Sequence, residues 1–194
     1  MHTTLFYCIK DIFTKTGAGW DQLAPSEEDA IEYAHNYIND EPERFIPGTK
    51  KGTSFYTLAE GGEIINRRLR EDREDPDVPR VTEDISKIRC KKDLVLYRGI
   101  TEDTFQQMKD AAHDYKNVDL YDKGFLQTSL VKGKEVNRHI KLRIFVPAGT
   151  NVIYLGNVND EEETYYEVAV QRGAKLRIIS KDKVYINCLL LGTL

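Results

Sequence analysis

The chain has 194 residues, 40% hydrophobic and 31% charged, a balance that suits one globular domain with a sizeable core. Its net charge of −4 argues against general nucleic-acid binding by phosphate neutralisation. Three scattered cysteines (Cys8, Cys90, Cys188) make no disulfide framework or C-x-x-C pair, and four histidines (His2, His35, His113, His139) lack H-x-x-x-H spacing, so no metal site is expected.

The opening "MHTTLFYCIKDIF" holds too short an apolar run for a signal peptide, and no stretch approaches the length of a membrane span. A cytoplasmic protein with no membrane partner is the expectation. "PSEEDAIEYAHNYIND" carries a helix start, with Ser26 as N-cap and Asp29 as its capping-box partner, and Ile31, Ala34 and Ile38 on one face. A loop, "DEPERFIPGTKKGTS", precedes a helix over "EIINRRLRED". The charged, proline-broken "REDREDPDVPR" reads as a solvated loop and "TEDISKI" as a short helix.

"DLVLYRGI" is a buried-strand signal, and "TEDTFQQMKDAAHDY" a helix with Phe105, Met108 and Ala112 on one face. From there strands dominate. "HIKLRIFVPAGT" alternates Ile140, Leu142, Ile144 and Val146 against Lys141, Arg143 and Phe145, and "NVIYLG", "YYEVAV", "KLRII" and "KVYINCLLL" follow. Helices first and strands later predict an α+β fold with a largely antiparallel sheet. Neither a Rossmann nor a P-loop glycine pattern is present.

One residue breaks the strand pattern. In "TYYEVAVQRGAKLRI" Tyr166, Val168 and Val170 form an apolar face, and Glu167 sits alone on the other. Most single glutamates of this kind decorate a surface strand. Two further segments change its weight. "LVLYRGI" ends in Arg98 and Gly99, a planar charged fork beside free backbone that suits a diphosphate. "GFLQTSL" ends a strand in small hydroxyl residues, which alone would read as a turn.

In this order the segments resemble mono-ADP-ribosyltransferases of the arginine–serine–glutamate, cholera-toxin-like group, closest in look to Rho-modifying exoenzymes and binary-toxin catalytic domains. That family's pattern is an aromatic-Arg-Gly strand, an F-x-S-T-S strand, and a glutamate two residues after Glu or Gln. The matching stretches are "LYRGI", "FLQTSL" and "YYEVAVQRGAKLRI", with "EIINRRLRED", "DISKIRCKKDLVLYRGI" and "IFVPAGTNVIYLG" similar to the family's flanking elements. The resemblance covers roughly residues 25–191. It implies one domain, 1–194, with a helical part at about 20–90 and a β-rich core at about 91–194. N-terminal helices would pack on two largely antiparallel sheets around an NAD cleft.

The resemblance also assigns roles. Glu167 would oppose the oxocarbenium-like charge that develops as the nicotinamide–ribose bond breaks. Arg98 and Gly99, with Arg70, would hold the diphosphate. Thr128 and Ser129 would brace the strand and bond the ribose or the glutamate, and Asn66 would touch the nucleotide. NAD is then a substrate, no metal is needed, and the partner is an acceptor protein met by a monomer. The setting would be a host cytoplasm, reached by a phage-encoded modifier or a delivered toxin.

Two positions depart from the pattern. Gln127 replaces its first serine, and its NH₂ can donate the same hydrogen bond from a longer side chain. Tyr165 replaces the Glu or Gln that in the family go with arginine and asparagine acceptors. The segment "VKGKEVN" leaves room for little more than a turn, which implies a less enclosed nicotinamide. The acidic run 160–163 falls in a recognition loop and could attract a basic acceptor surface. Two alternatives stand beside transfer to protein: an NAD glycohydrolase, and an inactive binding or virion structural module that keeps the fold.

Overall fold

The computed structural model describes residues 17–40, 54–156 and 165–194; the opening apolar run, the 41–53 loop and the acidic 160–163 run lie outside them. A 3-10 helix, Gly17–Leu23, leads the described chain and buries Trp20. Before α1 (Ala30–Tyr37) the Ser26 hydroxyl accepts the Asp29 N–H at 3.3 Å and donates to its carboxylate at 2.6 Å. The buried face of α1 is Ala30, Ala34 and Ile38, whereas Ile31 is 45% exposed. This corrects the expected stripe. Residues 30, 34 and 38 recur at four-residue spacing, and two alanines let the helix approach closely.

Helix α2 spans Ser54–Arg70 and α3 spans Val78–Ser86. The solvated-loop reading of "REDREDPDVPR" holds for residues 71–77, most of them exposed, and is corrected for its last three, which open α3. Pro79 stands in the first turn of α3, where its missing N–H costs nothing, and Val78 and Val81 are buried. Buried Asp75 pairs with Arg68 at 2.7 Å and accepts the Asp77 N–H at 3.0 Å. Helix α4, Glu102–Ala111, is N-capped by Thr101, whose hydroxyl accepts the Thr104 N–H at 3.2 Å.

Eight strands complete the chain: β1 Leu94–Ile100, β2 Leu120–Asp122, β3 Leu126–Ser129, β4 Ile140–Val146, β5 Val152–Gly156, β6 Glu167–Val170, β7 Ala174–Lys181 and β8 Ile186–Gly192. They form one mixed sheet in the order β2-β7-β8-β4-β1-β3-β6-β5, with β4 and β8 parallel and the other pairs antiparallel. The two expected sheets are the two halves of this one. Pairing of β1 with β4 runs the length of both strands, but with β3 it reduces to Tyr97 opposite Ser129.

Both halves give one face to the same core. Leu94, Leu96, Leu142 and Ile144 from the five-strand half meet Leu126, Tyr154, Val168 and Val170 from the three-strand half, with Ala30, Ala34 and Met108 of the helices. The outer faces are covered too. Leu58, Ile65, Val81 and Ile85 of α2 and α3 pack on Phe125, Ile153 and Ala169. Trp20 packs on Val95, Tyr97 and Phe145, its ring 5.4 Å from that of Phe145. That cover explains why Phe145, on the face opposite Ile144, is buried as well. Among the described residues no helix is long and apolar enough to cross a membrane.

Candidate active site

A cleft of about 400 Å³ opens where α2, the end of β1, β3 and the start of β6 meet. Glu167, Gln127, Ser129, Thr128, Arg98, Gly99, Arg70, Asn66 and Tyr165 all line it. The sheet register accounts for the grouping. Ser129 stands opposite Glu167 and Gln127 opposite Ala169, so Gln127 is the diagonal neighbour of Glu167 on one face. Its side chain spans that diagonal, and Nε2 donates to Glu167 Oε1 at 2.6 Å. Gln127 Nε2 also lies 3.3 Å from the Leu58 carbonyl, and Asn66 Nδ2 donates to Gln127 Oε1 at 2.9 Å.

The hydroxyl residues point elsewhere. Thr128 Oγ1 donates to the Val168 carbonyl at 2.7 Å, and Ser129 Oγ donates to the Val131 carbonyl at 2.8 Å while accepting its N–H. Thr128 thus ties β3 to β6, and Ser129 fixes the turn that follows β3. Burial pushes the Glu167 carboxyl up to about 7, with the Gln127 bond and the Arg98 charge pulling the other way. Directly before it, Tyr166 adopts φ 47°, a left-handed conformation unusual for a bulky residue. That turn sends the Tyr166 ring into the core, while Tyr165 lines the cleft beside Glu167.

A second cluster lies further along the cleft. Three residues separate β2 from β3, and the chain there turns from one half of the sheet to the other. Asp122, fully buried, accepts from Arg70 Nε at 3.1 Å and Nη2 at 3.2 Å, and from the Gly124 N–H at 3.0 Å. Arg98 Nη1 lies 2.9 Å from Asp122 Oδ2 but has no well-directed hydrogen bond. Desolvation alone would raise the Asp122 carboxyl, but Arg98 and Arg70 outweigh it and hold it below the usual range. Two guanidinium groups thus share one carboxylate, which leaves a net positive charge at a buried site.

Sequence reasoning did not single out Asp122. Its signal is the Asx-turn formed with Gly124 at a strand end, which is common and carries no chemistry by itself. The segment "VKGKEVN" makes a turn at 132–133 and continues without regular structure to 139, and Lys134, Glu135, Val136 and Arg138 line the cleft. It lies directly on β1: a Cβ at Gly99 would stand 1.9 Å from the Val136 carbonyl oxygen. Glycine is required there for the segment to pass. Among the described residues no group of three or more His, Cys, Asp or Glu side chains is placed to hold a metal ion.

A family model described as ADP-ribosyltransferase exoenzyme matches residues 47–188. No curated protein matches the chain. Solved structures share its fold at low identity. The Clostridium limosum C3 exoenzyme is 18% identical, with 71% of this chain and 82% of that chain covered at a TM-score of 0.55. C3larvin toxin, an ADP-ribosyltransferase from Paenibacillus larvae, is 15% identical over 86% and 94% of the two chains, with a TM-score of 0.54. C3stau2 from S. aureus, solved with NAD, is 17% identical over 92% and 94%, with a TM-score of 0.50.

Proposed function

Because the chain belongs to the ADP-ribosyltransferase exoenzyme family, we propose that it moves ADP-ribose from NAD to a side chain of an acceptor protein, with Glu167 stabilising the transition state. The observation that carries this reading is the 2.6 Å bond from Gln127 to a half-buried Glu167 in the cleft that also holds Arg98 and Arg70. Glycosidic cleavage sends the bonding electrons to the nicotinamide ring nitrogen and leaves positive charge on the ribose. A carboxylate fixed beneath that carbon opposes the charge as it develops. The acceptor's lone pair then forms the new bond to the same carbon, and its proton leaves to solvent.

The diphosphate carries two negative charges, and the Arg70–Asp122–Arg98 cluster has one positive charge in excess. Arg98 lines the cleft with Nη1 held 2.9 Å from Asp122 Oδ2, and its guanidinium is the group we assign to the diphosphate. Exposed Arg138, which also lines the cleft, adds a further cation. The inactive-module alternative is weakened because Gln127 gives Glu167 the donor that a serine would give. Helical part and β-rich core act together as one domain, and the site of action is the cytoplasm of a cell that holds the acceptor.

Incubation with labelled NAD tests the reading directly. The native chain is expected to release nicotinamide, and Glu167→Gln to lose about a hundredfold or more of that rate while still binding NAD. Retention of a tenth of the activity in the variant would remove Glu167 from the role. Mass spectrometry of a lysate treated with protein and NAD then identifies the acceptor.

A further inference from the structure

We infer that Asn66 is a positioning residue for Glu167, fixing which edge of the Gln127 amide faces that carboxylate. The inference rests on the role proposed for Glu167 and concerns how this chain holds it with glutamine in place of serine. A serine hydroxyl rotates to suit its acceptor. An amide has a donor edge and an acceptor edge of nearly equal shape, so its orientation must be set by neighbours.

The Phe125 peptide supplies both references. Its N–H donates to Asn66 Oδ1 at 2.7 Å, and its carbonyl accepts from Asn66 Nδ2 at 2.9 Å. Reversing the Asn66 amide would set donor against donor and oxygen against oxygen. With Asn66 fixed, its Nδ2 faces Gln127 Oε1 at 2.9 Å, which commits Gln127 Nε2 to Glu167 at 2.6 Å. Reversing Gln127 would turn its oxygen toward the Glu167 carboxylate and the Leu58 carbonyl, and its NH₂ toward that of Asn66.

Two glycines make the room. A Cβ at Gly62 would lie 2.5 Å from Gln127 Nε2, and one at Gly124 would lie 2.5 Å from Asn66 Oδ1. Gly62 and Asn66 are four residues apart on α2, so one helix face provides both the gap and the reference amide. Asn66 is 2% exposed, and both atoms of its amide are engaged within the protein.

The test compares Asn66→Asp in two backgrounds of the full chain, native and Gln127→Ser, by nicotinamide release from NAD. A carboxylate at 66 offers no donor to Gln127 Oε1, so the Gln127 amide turns and Glu167 loses its bond. In the native background kcat is expected to fall about tenfold or more with KM for NAD within about twofold. In Gln127→Ser, where a rotating hydroxyl does not depend on residue 66, the same change is expected to cost less than about threefold. Equal losses in both backgrounds overturn the inference.

A measurement without turnover guards against variants that fold poorly or lack activity. In Asn66→Ala, checked for folding by circular dichroism, titration of the Glu167 carboxyl by carbon-13 NMR is expected to move upward by about half a unit, because a loosened donor stabilises the anion less. An unmoved titration overturns the inference whatever the kinetics show. Failure of the parent assignment looks different: Glu167→Gln would then keep its activity, while the Asn66-dependent titration would still be seen.

Discussion

Tyr165 is the residue at which this chain leaves the family pattern most clearly, and its place beside Glu167 gives it access to an incoming acceptor. If it packs on that acceptor, Tyr165→Ala impairs transfer to protein but spares hydrolysis of NAD, which on the proposed mechanism needs only Glu167, the arginines assigned to the diphosphate, and water. Positioning of a nucleophile contributes heavily to rate, so a loss of about tenfold in transfer alone is expected. Both rates measured on the one variant decide the matter, and equal loss would remove Tyr165 from the acceptor site. The chemistry at this scale was partly legible in the sequence. Glu167 showed as a lone carboxylate in an apolar strand, and Gln127 as an anomaly in a motif. The expectation that Asn66 touches the nucleotide rests on the resemblance of "EIINRRLRED" to a family helix. Its bonds to the Phe125 peptide, 59 residues away, leave no trace in local periodicity.

Elements meet in the cleft through two contacts that local sequence hides. One is the crossing of segment 131–139 over Gly99. That segment is held on both sides, by Lys132 to Asp21 at 2.6 Å and Lys134 to Glu27 at 2.8 Å, and by Glu135, which accepts from Lys141 at 2.8 Å and Tyr185 at 2.9 Å. The other is Asp122, which joins α2, β1 and β2 by facing Arg70 and Arg98 at once. Strand β2 has three residues, too few for an alternation signal, and the charge run ahead of α3 masked a helix start in the same way. Asp122→Asn leaves two buried guanidinium groups without their counter-charge, and a destabilisation of about 3 kcal/mol or more is expected. A diphosphate would replace the missing anion. In a Glu167→Gln background, where NAD is not consumed, saturating NAD should therefore raise the melting temperature more in Asp122→Asn than in its parent. An equal or smaller increment would place the diphosphate away from these arginines.

For the molecule as a whole, carboxylates shifted in opposite directions separate the pH of greatest stability from the pH of greatest activity. Glu167, pushed up from its usual 4.5 to about 7 by burial, binds a proton in the folded chain that the unfolded chain has already released. Across that window the native state holds more protons, so stability falls as pH rises. Asp122 and Asp182 act with the other sign. Desolvation would raise each, but the arginines around Asp122, and the Tyr185 and Val184 N–H groups with Arg143 around Asp182, hold both below the usual carboxylate range. Their contribution is complete above about pH 4 and is lost as pH falls, because the unfolded chain takes up protons first. Stability should therefore peak at about pH 5 and decline toward pH 8 by on the order of 3 kcal/mol. If Glu167 has the role proposed for it, nicotinamide release should instead rise through about pH 7 as that carboxyl ionises. Melting temperature followed from pH 3 to pH 8 without NAD, for the native chain and Glu167→Gln, tests the assignment. The variant is expected to lose the decline between pH 5 and pH 8 and to keep the acid collapse, since Asp122 and Asp182 are untouched. A decline that persists in Glu167→Gln would mean that the proton held at neutral pH sits on another group, and that Glu167 is already ionised where the protein is most stable.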